Sequence, residues 1–145
     1  LNIITLCVII GAVSLFLIND GYLTGIVLVL LAGLCLLSLL PFKISLKSTL
    51  PDIYFGLADN GILAIMAIFG GHFGGVAGAI LGGVVGNAIT DGIAGIIEGY
   101  SAERLRLQFI SEKRTMLKSA VGKMAGCLFG AGIVLFIASF LNFGR

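Results

Sequence analysis

LGGVVGNAITDGIAGIIEG, residues 81–99, sets Asn87, Thr90, Asp91 and Glu98 into a stretch otherwise made of glycine, alanine and aliphatic residues. At about 100° per residue, Asn87, Asp91, Ala94 and Glu98 share a stripe roughly 60° wide, and Thr90 borders it. The polar groups therefore occupy one face of a helix that hydrocarbon would otherwise accept. An Asp in the middle of such a helix costs about 2.5–3.5 kcal/mol on insertion scales. The pattern asks what neutralises it.

The surroundings of this stretch define the class of protein. Of 145 residues, 59% are hydrophobic and 11% charged, and the mean hydropathy is +1.16. Soluble domains are about half apolar and about a quarter charged, so one soluble core cannot hide this much apolar surface. The expected fold is an all-α integral membrane protein, a tightly packed, glycine-rich bundle of about five transmembrane helices. The first apolar run has neither a basic flank nor a small-residue cleavage site, and it is read as a span rather than a cleaved signal.

Crossing a bilayer core takes about 20 apolar residues. Five segments qualify: 3–18, 23–40, 53–68, 73–98 and 121–141. Asn19-Asp20-Gly21 marks a polar turn, Pro41 and Pro51 bracket a polar connector, and the glycines from Gly70 to Gly75 turn the chain. The fourth segment exceeds the bilayer thickness and is expected to tilt or break. The organisation is then two N-terminal helices (1–42), a linker (43–52) and a three-helix region (53–145). A basic amphipathic connector at 100–120 would set Leu105, Phe109, Met116 and Leu117 on one face along the membrane surface.

Eight of the nine basic residues lie in or beside the two connectors that five spans put on one side. The positive-inside rule makes that side cytoplasmic, or the matrix side of a mitochondrial inner membrane. A prokaryotic plasma membrane and a mitochondrial inner membrane are both compatible. So few bases do not indicate nucleic-acid binding.

Small residues repeat at helical spacing at Gly74, Gly78, Gly82 and Gly86, and again at Gly122, Gly126 and Gly130. Such ridges let helix backbones approach closely in lipid, whether within one chain or between subunits. Glycine also permits unwinding that frees carbonyl oxygens, a reading given weight at Gly61, Gly86 and Gly92 beside the polar residues. Cys7, Cys35 and Cys127 lie in apolar runs without metal-site spacing and read as small buried hydrophobes.

Asp59-Asn60 lies in the third segment. Antiparallel pairing brings Asp59 to the depth of Asp91, where the two can face each other. No Lys or Arg falls within the apolar core, so a proton or a bound cation is expected to neutralise the acids. Two plainer readings stand beside this: protonated carboxylates as interhelical hydrogen-bond glue, or spans displaced so that the acids reach the inner interface. The expected cation ligands are Asp59, Asn60, Asn87, Thr90, Asp91 and Glu98, with Asp59 and Asp91 as the charged pair. Hard oxygen ligands suit Na⁺, Mg²⁺ or Ca²⁺. Organic cofactors are not expected. No Ser/His or Cys/His pair or phosphate loop suggests an enzyme. A small chain offers few helices around a pathway, which favours a homodimer in the lipid bilayer.

FGLADNGILAIMAIFG, GNAITDGIAGIIEGY and KSAVGKMAGCLFGAGIVLFI resemble the transmembrane protein 65 family. The three motifs fall on Gly56, Asp59 and Asn60; on Gly86, Asn87, Thr90, Asp91 and Gly95; and on Val121, Gly122, Gly126, Cys127 and Gly130. The spacing to Gly95 departs from the family pattern, and the first two spans lie outside the likeness, which covers about residues 53–140. The resemblance implies sodium-dependent calcium exchange, or close support of it, with Ca²⁺ and Na⁺ as the ions and the buried carboxylates as their ligands. The alternatives are a non-transporting membrane subunit that regulates a partner transporter or channel, and a proton-coupled transporter of another substrate.

Overall fold

The structure, a computed structural model, describes residues 2–16, 21–107 and 115–141. Four α-helices account for nearly all of them: α1 (Asn2–Phe16), α2 (Gly21–Leu37), α3 (Leu46–Leu107) and α4 (Met116–Phe140). A short 3-10 turn, Leu40–Phe42, closes α2, and Lys43 in the left-handed region (φ 55°) donates its amide to the Leu40 carbonyl. The stretches Leu23–Phe42, Thr49–Ile96 and Met116–Phe140 are long and apolar enough to cross a membrane, and Ile3–Phe16 is a shorter apolar helix. The architecture is all-helical and compatible with membrane insertion.

The long helix α3 is not straight. Gly74 (φ −127°, ψ 15°) and Gly75 (φ 57°, ψ −142°) leave helical geometry, and they alone do so within it. Gly75 adopts a backbone conformation essentially confined to glycine. Contacts step outwards from this break in order: Gly70 meets Gly78, Met66 meets Gly82, and Leu63 meets Gly86. The two arms of α3, residues 46–73 and 76–107, therefore lie antiparallel against each other. Gly70 and Gly71 were expected to belong to the turn. They remain helical instead, because glycine at 70 and 78 lets the arms touch backbone to backbone up to the last turn.

Helix α4 packs between α2 and the first arm of α3. Against α2 it runs antiparallel: Gly25 lies on Gly132 and Phe136, while Cys35 and Leu39 share a core with Val121 and Ala125. Against the first arm of α3 it runs parallel. The Thr49, Ile53 and Leu57 carbonyls lie in turn against Gly122, Gly126 and Gly130. Helix α1 touches the assembly through Leu6 in the Cys35–Leu39–Val121 cluster. Lys43, Lys47, Lys118 and Lys123 thus gather at one end of the bundle, and the Gly74–Gly75 turn lies at the other.

Three local expectations change. The segment 43–52 was read as a linker, yet α3 begins at Leu46 and carries Pro51 inside it. Tertiary contacts outweigh the proline there: Thr49 is fully buried, Asp52 is 2% exposed, and Asp52 accepts a 2.9 Å hydrogen bond from the Ser119 hydroxyl of α4. The connector is not one surface helix either. Leu105 belongs to α3, whereas Met116 and Leu117 belong to α4, which starts where the Thr115 side chain accepts from the Lys118 amide. Phe109 and the polar turn residues Asn19 and Asp20 lie outside the described residues. Finally, the fourth expected segment, 73–98, breaks only at Gly74 and Gly75 near its start, and the second arm of α3 continues as helix past its expected end, through residue 107.

Candidate functional site

The site forms where the two arms of α3 face each other about four turns from the Gly74–Gly75 reversal. Asp59 on the first arm and Thr90 on the second are joined by a hydrogen bond between Thr90 Oγ1 and Asp59 Oδ1. Thr90 is buried (7% exposed) and Asp59 half-buried. Glycine determines this approach. Gly86, one turn before Thr90, has the Leu63 Cα only 3.1 Å from where its Cβ would be, so the arms sit too close for any larger residue to pass unnoticed.

Thr90 Oγ1 also lies 3.0 Å from the Asn87 carbonyl and 3.2 Å from the Gly86 carbonyl. A hydroxyl has one proton and can also accept. With Asp59 ionised, Thr90 donates to the carboxylate. With Asp59 protonated, the carboxyl donates to Thr90 Oγ1 while the hydroxyl turns to its own helix carbonyls. Thr90 can thus hydrogen-bond to Asp59 in either direction without rearrangement of the backbone.

The structure differs from the expected pairing of two acids. Asp59 meets Thr90, not Asp91. Asp91 is exposed on the outer side of the second arm, and its Oδ2 accepts a 2.8 Å hydrogen bond from Asn87 Nδ2 one turn away. The reason is angular: Thr90 and Asp91 differ by about 100° around the helix, so only one can point at the first arm. Asn60 is half-buried beside Asp59. Glu98 belongs to the second arm, and its side chain lies outside the described residues. Among the described residues no three His, Cys, Asp or Glu side chains converge as a metal cluster.

A cleft of about 340 Å³ opens along this face, with Tyr54, Phe55, Ile62 and Ile93 on its walls and Asp59 and Thr90 as its polar floor. Its lining is almost wholly apolar apart from those two side chains. The unwinding considered at Gly61, Gly86 and Gly92 does not occur; all three are helical, so no backbone carbonyl is freed there. Their environments differ: Gly86 is packed against Leu63 and Met66, Gly61 borders Gly130, and Gly92 has open space.

The glycine ridges separate in the same way. Gly78, Gly82 and Gly86 pack the second arm of α3 on the first, and Gly122, Gly126 and Gly130 pack α4 on the first arm. Both ridges are used within one chain. Gly74 has nothing within reach of a Cβ and belongs to the reversal instead. Sequence reasoning missed Gly56, whose Cβ would stand 2.7 Å from the Cys127 amide nitrogen, as a packing residue, and it missed the Asp52–Ser119 pair altogether. A signal existed for Asp52: seven residues before Asp59, it lies on the same helix face two turns away.

Comparison of the chain with family models, curated proteins and solved structures finds no match.

Proposed function

We propose that this chain is a membrane cation carrier whose activity is sodium-dependent calcium exchange. The observation that carries this reading is the Thr90–Asp59 hydrogen bond across the two arms of α3, at the floor of an apolar cleft, with the Asn87–Asp91 pair on the outer side of the same stretch of the second arm. Asp59 and Asp91 supply the charge, and Asn60, Asn87 and Thr90 supply neutral oxygens. Glu98, farther along the same arm towards the basic end, attracts cations to the inner mouth. Ca²⁺ takes six to eight oxygens, more than these side chains offer in one chain, so a homodimer or water completes the shell. Competition of Na⁺ and Ca²⁺ for the same carboxylates couples the two fluxes, and the resemblance of the three motifs to the transmembrane protein 65 family agrees with that pair of ions. The basic end faces the cytoplasm of a prokaryote or the mitochondrial matrix.

The test is calcium uptake into proteoliposomes that hold only this protein, with and without an opposing Na⁺ gradient, run beside Asp59→Asn and Asp91→Asn. Na⁺-driven flux lost in both variants is the expected result. Flux that follows a pH gradient and ignores Na⁺ would instead indicate a proton-coupled transporter of another substrate.

One observation favours a second reading. Asp91 is exposed, and a Cβ at Gly92 beside it would meet open space, so the outer face of the second arm is uncovered at these two positions among the described residues. A non-transporting subunit would use that face to hold and regulate a partner. Folded protein that carries no flux under any gradient, yet loses its partner's activity on Gly92→Leu, would support it.

A further inference from the structure

The Asp59 cleft is larger than a single metal ion needs. It holds about 340 Å³, within the range of about 300–1,000 Å³ typical of sites for organic ligands. On the first arm its lining runs from Pro51 to Ile62, about 16 Å along the helix. A change in the second arm makes this space. Gly78, Gly82 and Gly86 hold the two arms backbone to backbone, but the next positions on that face, one and two turns on, are Thr90 and Ala94. Both line the cleft. Glycine contact ends there, and room for a ligand begins.

Asp59 supplies an open acceptor at the floor. Among the described residues its only hydrogen bond is the one between Thr90 Oγ1 and Oδ1. No buried side-chain oxygen or nitrogen of the described residues lacks a partner, so Oδ2 is not closed off, and the open space at Asp59 is the cleft. Lys123, whose ammonium stands over the Phe55 ring with Nζ 4.4 Å from the centroid, is not among the residues that line it. An inorganic cation would meet the carboxylate and leave the walls of Tyr54, Ile62 and Ile93 without a partner. The acyl chain of a lipid would cover those walls and leave Oδ2 unpaired, which is costly in an apolar setting. A molecule with a positive head and an apolar body satisfies both.

We propose that the cleft is a binding site for apolar organic ammonium ions, whose N–H donates to Asp59 Oδ2 while the body lies along Tyr54 and Phe55 towards the basic end. A charge-assisted hydrogen bond fixes the head, and burial of apolar surface holds the body. Such a ligand occupies the carboxylate that the carrier reading gives to Na⁺ and Ca²⁺, and it therefore inhibits by competition. The competition rests on that reading; the binding itself does not.

The experiment is thermal unfolding of the purified full chain in detergent, titrated with phenylbutylammonium and, in parallel, with phenylbutanol, a neutral molecule of similar size. The ammonium is expected to raise the unfolding midpoint saturably, and the alcohol is not. Asp59→Asn is expected to weaken the apparent affinity by about tenfold to a hundredfold, through loss of a hydrogen bond to a charged group. Saturating Ca²⁺ is expected to weaken it in wild type as well. Ammonium and alcohol acting alike, or an ammonium effect that survives Asp59→Asn, would mean partition of the probe and overturn the site. No ammonium effect, beside a Ca²⁺ stabilisation that Asp59→Asn removes, would overturn the site and leave Asp59 as an ion ligand. Ammonium binding lost in Asp59→Asn, with no response of wild type to Ca²⁺ or Na⁺, would uphold the site and overturn the carrier reading. If Asp59→Asn does not yield folded protein, Ala58→Leu decides the same question, since it fills the cleft from an exposed position and keeps the carboxylate.

Discussion

Ser119 on α4 donates a 2.9 Å hydrogen bond to Asp52 on the first arm of α3, and Asp52 is almost wholly buried there. The contact sits at the basic end of a seam otherwise built from glycine against carbonyl, with Gly122 close beside it. Polar pinning at one end and smooth backbone contact along the rest define how α3 and α4 are joined. Asp59 lies two turns further along the same arm, so this contact also bears on how the cleft is held.

Removal of the pin should therefore be expensive. Ser119→Ala leaves a buried carboxylate short of a donor and is expected to destabilise the protein by about 1–3 kcal/mol. Thermal or denaturant unfolding in detergent reads this directly. Ser119→Thr, which keeps the hydroxyl, should recover most of the loss.

Thr90 offers a cleaner functional probe. Thr90→Val keeps the shape of the side chain and removes the hydroxyl that meets Asp59. A loss of about 1–3 kcal/mol in stability is expected, together with reduced Na⁺-driven calcium flux. Thr90→Ser retains the hydroxyl and should transport at close to the wild-type rate.

Asp91 should separate function from folding. It is exposed, and its bond to Asn87 is of the surface, one-turn kind worth only a few tenths of a kcal/mol. Asp91→Asn is expected to shift stability by no more than about 0.5 kcal/mol while it abolishes flux in proteoliposomes. A melt unchanged within error beside intact flux would remove Asp91 from the site.

The glycines predict a graded series. Gly126→Ala drives a Cβ into the Ile53 carbonyl and should separate α4 from α3, with a loss of about 1–3 kcal/mol or more. Gly75→Ala forces a β-carbon onto a backbone at φ 57°, ψ −142° and should cost about 1–3 kcal/mol through strain alone. Gly92→Ala meets open space and lies in a helix, so it should be neutral or slightly stabilising. Unfolding midpoints of the three variants rank them.

Much of this was legible in one dimension. Composition pointed to an all-helical, apolar chain, and apolar run lengths with glycine punctuation located the apolar stretches of the helices, because both signals are local. The 100° rotation per residue put Asn87 and Asp91 on one face, and the structure joins them by a hydrogen bond. Spacing of four also marked the Gly78–Gly82–Gly86 and Gly122–Gly126–Gly130 ridges as surfaces of close approach. What spacing did not carry was the rotation of one helix relative to its neighbour. That angle arises from packing across the seam, and it decided that Thr90 rather than Asp91 meets Asp59.

Depth was hidden for the same reason. Asp52 follows a proline in a polar run and reads as linker, yet α4 covers it; Lys123 reads as the edge of a span, yet parallel packing brings its ammonium to the wall of the Asp59 cleft. The sequence by itself determined that the apolar runs are helical, that α3 reverses within the glycines 70–75 and which faces are smooth, since periodicity and glycine act within a few residues. Only the tertiary structure decided which polar groups touch, because a hydrogen bond between residues 31 or 67 apart depends on helix rotation and register that no single helix contains.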